Sequence, residues 1–92
     1  MFKLIACLIF ASPLFASAEV TREINGTKYY LNYDFDTADG ECKLRGMDYA
    51  GSFYSFSDQI FPVAKLNADG TVKELIDNGT ASYQVIDGIS CE

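Results

Sequence analysis

Two cysteines, Cys42 and Cys91, constrain this chain more than any other feature. They stand in a sequence whose opening stretch reads as a removable export signal. Taking away 18 of the 92 residues leaves a folding unit of 74, Glu19–Glu92. A domain of that size buries about 60% of its unfolded surface and is marginal on its core alone. In an exported chain an even cysteine count reads as a disulfide, and two cysteines allow one pairing. Closing a loop of about 50 residues stabilises by roughly 4 kcal/mol in the chain-entropy account, comparable to the whole net stability of a small domain. A redox role finds no support. There is no C-x-x-C spacing, and the chain has no His to depress a thiol pKa.

The export reading rests on residues 1–18. Met1-Phe2-Lys3 is a short positive start, and Leu4 to Ala11 is unbroken apolar or small sequence. Ser12-Pro13 interrupts it, and Ala16-Ser17-Ala18 offers the small residues that signal peptidase requires, which places cleavage between Ala18 and Glu19. The apolar run is shorter than the roughly 20 residues a spanning helix needs, so no stable membrane insertion is expected. Leu4-Ile5-Ala6-Cys7 resembles a lipoprotein signal. Too few residues precede Cys7, and the segment after it is apolar where a tether would be polar, so Cys7 leaves with the signal. The expected destination is the periplasm or the extracellular space.

Loss of Lys3 takes the formal net charge from −6 to −7. An acidic chain with a pI near 4.4 is a poor partner for nucleic acid or for an anionic membrane surface. The absence of His removes His-based triads, His–Cys dyads and His metal sites.

Along the folding unit, Val20–Ile24 alternates apolar and polar, Asn25-Gly26 comes next, and alternation resumes over Thr27–Phe35. Asn-Gly between alternating runs predicts a hairpin. In its second strand Tyr29, Leu31, Tyr33 and Phe35 share one face, with Tyr30 on the other. Residues 36–45 predict one short helix carrying Cys42, capped by Asp36 or Thr37 and stopped by Gly46. Its acids come early and its basic residues late, as the helix dipole favours. Gly40 weakens this helix by about 1 kcal/mol. Further strands are predicted at 49–56, 60–66, 71–76 and 81–91. Asp58-Gln59, residues 67–70 and residues 77–80 read as turns, Pro62 as an edge position and Asp87-Gly88 as a bulge. The expected fold class is therefore α+β, mostly β: a small antiparallel sheet of five or six short strands, one short helix and a single disulfide.

Chemistry is sparse. Asp34, Asp36, Asp39 and Glu41 form the densest carboxylate cluster, which is what Ca²⁺ favours. Neither register of the EF-hand pattern fits, and a solvated acidic helix start explains the cluster as well. The same acids could serve a small hydrolase as an acid/base pair, but so short a chain has little room for a sugar-gripping cleft. No serine lies in a G-x-S-x-G setting and no phosphate-binding glycine loop occurs. Asn25-Gly26-Thr27 and Asn78-Gly79-Thr80 match the glycosylation sequon, yet turn geometry accounts for both, and no glycan is inferred. Ten aromatic residues remain after the signal, and alternation cannot hide them all. Tyr30, Phe53 and Tyr54 are the candidate contact residues, since aromatic faces on a rigid sheet suit protein or glycan recognition.

The sequence thus predicts a small exported acidic domain that is not an enzyme, requires no cofactor and binds a protein or glycan partner. The first alternative is an inhibitor of a secreted basic enzyme, a lysozyme or a protease, to which acidic charge would steer it. A Ca²⁺-stabilised structural domain and a small hydrolase rank below.

Overall fold

The computed structural model describes residues 20–92. The export signal and Cys7 lie outside the described residues. Among the described residues, eight short strands and one helix run in the order β1 (Thr21–Ile24), β2 (Thr27–Leu31), α1 (Phe35–Leu44), β3 (Ala50–Tyr54), β4 (Ser57–Gln59), β5 (Val63–Leu66), β6 (Val72–Ile76), β7 (Tyr83–Val85) and β8 (Gly88–Cys91). The β-rich class with one helix and one disulfide is as the sequence predicts. Among the described residues, no helix is long and apolar enough to cross a membrane.

Asn25 and Gly26 both adopt positive φ, at 53° and 85°, and close the β1–β2 hairpin with Ile24 opposite Thr27. This is the turn that Asn-Gly favours, because both central residues must enter the left-handed region. β2 then pairs in parallel with β5, and β5 in antiparallel with β6, giving the sheet order β1-β2-β5-β6. The parallel pair departs from a purely antiparallel arrangement. It requires a crossover, which α1, β3 and β4 provide. The other strands form two ribbons, β3-β8 and β4-β7. Beyond Leu31, the chain bridges β7 through Asn32 opposite Val85, with Tyr33 N–H donating to the Gln84 carbonyl.

The expected strand over Thr27–Phe35 ends early because Asp34 caps a helix. Its carboxylate accepts from the Thr37 backbone N–H at 2.7 Å and from the Thr37 hydroxyl at 2.9 Å. The cap is thus Asp34, not Asp36 or Thr37. At the other end, Gly46 N–H donates to the Lys43 carbonyl and Met47 N–H to the Cys42 carbonyl, a Schellman closure.

Three further local expectations are corrected. Asp58 and Gln59 are strand residues in β4, held opposite Gln84 and Tyr83. Pro62 immediately precedes β5, a central strand, and its carbonyl accepts from Tyr30 N–H. The run over 81–91 is not one strand. It divides between two ribbons, and Asp87 is the corner between them: nearly buried, its carboxylate accepts from Phe56 N–H at 2.7 Å and from the Ser57 hydroxyl at 2.8 Å.

The four-stranded sheet is covered on both faces. Tyr29, Leu31, Ala64 and Leu66 pack with Val20, Ala38 of α1 and Ile86. On the other face Val63, Ile76 and Val85 pack with Tyr30 and Tyr83. Alternation along β2 explains the division, since Tyr29 and Leu31 point one way and Tyr30 the other. Cys42, wholly buried on α1, is bonded to Cys91 of β8, with Cα atoms 5.4 Å apart. The disulfide fastens the helix to the β3-β8 ribbon.

Candidate functional site

Aromatic residues gather on both faces of β3. Phe53 alternates with Ser52 and Tyr54, so neighbouring side chains point to opposite faces. On the first face, half-buried Phe53 meets Tyr33 and Phe35 edge-on, with ring centroids 5.3 and 5.4 Å away. These three residues and Asp34 line an open crevice of about 310 Å³. Phe35 opens the helix and is 76% exposed, with its ring edge-on to Phe53. The Asp34 cap starts the helix so that Phe35 turns out of the sheet. The sequence pattern instead placed Tyr33 and Phe35 on one strand face with Tyr29 and Leu31. An Asp three residues before a Thr, read as a cap, carries the signal for the correct placement.

On the second face, Tyr54 stacks on Phe56, with centroids 5.8 Å apart and planes inclined by 20°. Tyr54 is 55% exposed and Phe56 71%. The Tyr54 ring lies across Gly88, where a Cβ would come within 2.2 Å of it. An open groove of about 420 Å³ adjoins this pair, lined by Val20, Arg45, Ser52, Tyr54, Ile89 and Ser90, with Gly88 at the Tyr54 end. Ser52 and Ser90 are register partners across the ribbon, so their hydroxyls share one face.

Of the three aromatic candidates, Phe53 and Tyr54 thus belong to separate surface clusters on one strand. Tyr30 stands apart from both, half-buried against Val63, Ile76 and Val85.

The four candidate metal ligands point to different tasks. Asp34 caps α1 and also accepts from the Asn32 side-chain amide. Asp36 lies exposed in the first turn. Asp39 accepts from Ala50 N–H at 2.9 Å, which anchors the start of β3. Glu41 is 2% exposed and sits between two guanidinium groups, with Arg22 Nε at 2.6 Å and Arg45 Nε at 2.8 Å. Among the described residues no three His, Cys, Asp or Glu side chains are grouped as a metal ion would require.

Electrostatic perturbations arise from these contacts. The hydrogen bond to Glu41 raises the Arg22 pKa above its already high ordinary value. Tyr29 is held above the usual phenol value, chiefly because its hydroxyl donates to Asp77. Tyr49 is also raised, first by the nearby Glu92 charge and then by their hydrogen bond. Asp69 is lowered by donation from the Thr71 hydroxyl and backbone.

No known protein family, no curated protein and no solved structure matches this chain.

Proposed function

We propose that this chain is an exported, non-catalytic interaction module that grips a partner protein through the Tyr33–Phe35–Phe53 surface. The observation that carries the reading is the exposure of Phe35 beside a crevice that its own neighbours keep in shape. A large apolar ring with only two side-chain torsions costs little entropy to bind and buries much area. Asp34 and Asp36 border the ring, so a complementary partner offers an apolar pocket rimmed by basic groups. The cleavable signal read in residues 1–18 and the Cys42–Cys91 bond support action outside the reducing cytoplasm. Inhibition of a secreted basic enzyme is the narrower form of the same reading, supported by the formal charge of −7 left after cleavage.

The test compares the immobilised protein with its Phe35→Ser variant, each exposed to the producing cell's extracellular fraction. The expected result is a basic protein retained by the native chain, released as salt screens the charges, and lost from the variant. Equal retention by both chains would refute the assignment to this surface.

A further inference from the structure

The groove on the second face of the β3-β8 ribbon has a different character from the aromatic crevice. Among the described residues that line it, Arg45 carries the only charge. Arg45 is not a loose surface cation. Its Nε donates to Glu41, a carboxylate that is itself 2% exposed and also bound by Arg22. One buried carboxylate set between two guanidinium groups leaves a local excess of one positive charge. This occurs in a chain that is otherwise strongly acidic. Glu41 holds Nε, so Arg45 borders the groove as a tethered guanidinium whose terminal nitrogens Glu41 does not engage. A guanidinium presented this way suits a planar carboxylate in a paired hydrogen bond.

The rest of the lining suits a sugar. Ser52 and Ser90 project hydroxyls from paired positions, and a hydroxyl both donates and accepts, as sugar hydroxyls demand. Val20 borders the groove, and Tyr54, with Phe56 stacked on it, stands at the Gly88 end as an aromatic edge against which a pyranose ring packs. A peptide carboxyl terminus would also use Arg45, but a sugar ring presents adjacent hydroxyls on one rigid face, which matches two hydroxyls fixed side by side on the ribbon more closely than a flexible peptide does. We propose that this groove is a binding site for a carboxylate-bearing saccharide of the uronic acid class. Arg45 takes the carboxylate, Ser52 and Ser90 take ring hydroxyls, and Glu41 is a positioning residue that fixes Arg45. This site is separate from the Tyr33–Phe35–Phe53 surface, and neither assignment depends on the other.

The test uses the isotope-labelled protein, purified after export with its disulfide formed, titrated by NMR with tri-galacturonate. A neutral glucose trisaccharide and a short peptide with a free carboxyl terminus serve as the other arms. The expected result is amide shifts at Arg45, Ser52, Tyr54 and Ser90 with tri-galacturonate alone, weakening as salt rises. Arg45→Gln weakens the affinity roughly tenfold or more, the range of one charged hydrogen-bonding group. Arg45 also contacts buried Glu41, so Ser90→Asp provides the variant that leaves the ion cluster intact. It opposes the ligand's charge from an exposed position and gives a similar loss. Phe35→Ser leaves the titration unchanged. The proposal is overturned by absence of shifts, by equal binding of the neutral sugar, by preference for the peptide, or by loss of binding in Phe35→Ser. None of these outcomes bears on whether the aromatic crevice retains a protein partner.

Discussion

Gly40 of α1 and Gly70 of the β5–β6 turn face each other where the helix crosses that turn. A Cβ on Gly40 would lie 2.2 Å from the Asn67 carbonyl oxygen and 3.2 Å from Gly70 N, and one on Gly70 would lie 3.2 Å from the Gly40 carbonyl. The close approach lets Ala38 reach the sheet and the Thr37 hydroxyl accept from Leu66 N–H at 3.1 Å. Gly40→Ala therefore sets two effects against each other. Helix propensity favours Ala by about 1 kcal/mol. Forcing backbone apart at a well-packed contact costs about 3 kcal/mol. The clash wins, and the variant loses about 2 kcal/mol in urea unfolding. A stabilised variant would contradict the crossing geometry.

The disulfide is the next test. Cys42 is fully buried on the helix, and Cys91 lies at the end of the last strand, so the bond joins segments that local structure does not. The loop it closes is long, and its removal costs roughly 4 kcal/mol in the chain-entropy account. The Cys42→Ala/Cys91→Ala variant, or the native chain in reductant, is expected to be largely unfolded at about 37 °C by circular dichroism. Retention of the native urea midpoint after reduction would show that the core suffices alone.

Much of this architecture is legible in the sequence, for local reasons. Asn25-Gly26 fixes its hairpin through two φ values, and Gly46 stops α1 through two carbonyls, all within a few residues. The disulfide is legible because only one pair is possible. Long-range choices are less legible. Nothing in β2 or β5 alone declares that they pair in parallel, and the run over 81–91 alternates without showing that its halves join different ribbons. Gly40 looks like a weak helix position until the turn beneath it is seen. Phe53 and Tyr54 are recognisable as opposed aromatics on one strand. Arg45, Ser52 and Ser90 are not recognisable as neighbours, because they lie at the end of α1 and on β3 and β8, elements that only the tertiary fold brings together.

Asp87 offers a test of the corner between β7 and β8. Its carboxylate satisfies Phe56 N–H and the Ser57 hydroxyl at a nearly buried position. Asp87→Ala leaves both donors without this acceptor, and each charged hydrogen bond of this kind contributes about 1.5–3 kcal/mol. The expected loss is about 3–6 kcal/mol in urea unfolding, with Ser57→Ala costing less because Phe56 keeps its acceptor. An Asp87→Ala midpoint within error of native would show that β4 needs no such tie.

The Tyr29–Asp77 pair predicts behaviour at alkaline pH. Tyr29 is 4% exposed in β2, and its hydroxyl donates to the Asp77 carboxylate just beyond β6. Ionising this phenol removes the donated proton and places a second negative charge against the first. The folded-state pKa is accordingly raised above the ordinary value of 10.0, so folding favours the neutral phenol. The stability from this group is complete below about pH 10 and is lost as pH rises through the raised value. Tyr49 with Glu92 acts in the same direction from an exposed site, and its loss overlaps that of Tyr29. Ultraviolet titration of the six tyrosines should therefore show a late-ionising fraction that unfolding in urea abolishes. Tyr29→Phe should remove part of that fraction and flatten the alkaline fall in stability, while Tyr49→Phe leaves the Tyr29 contribution in place. An alkaline limb unchanged in Tyr29→Phe would mean that the bond to Asp77 does not couple folding to protonation.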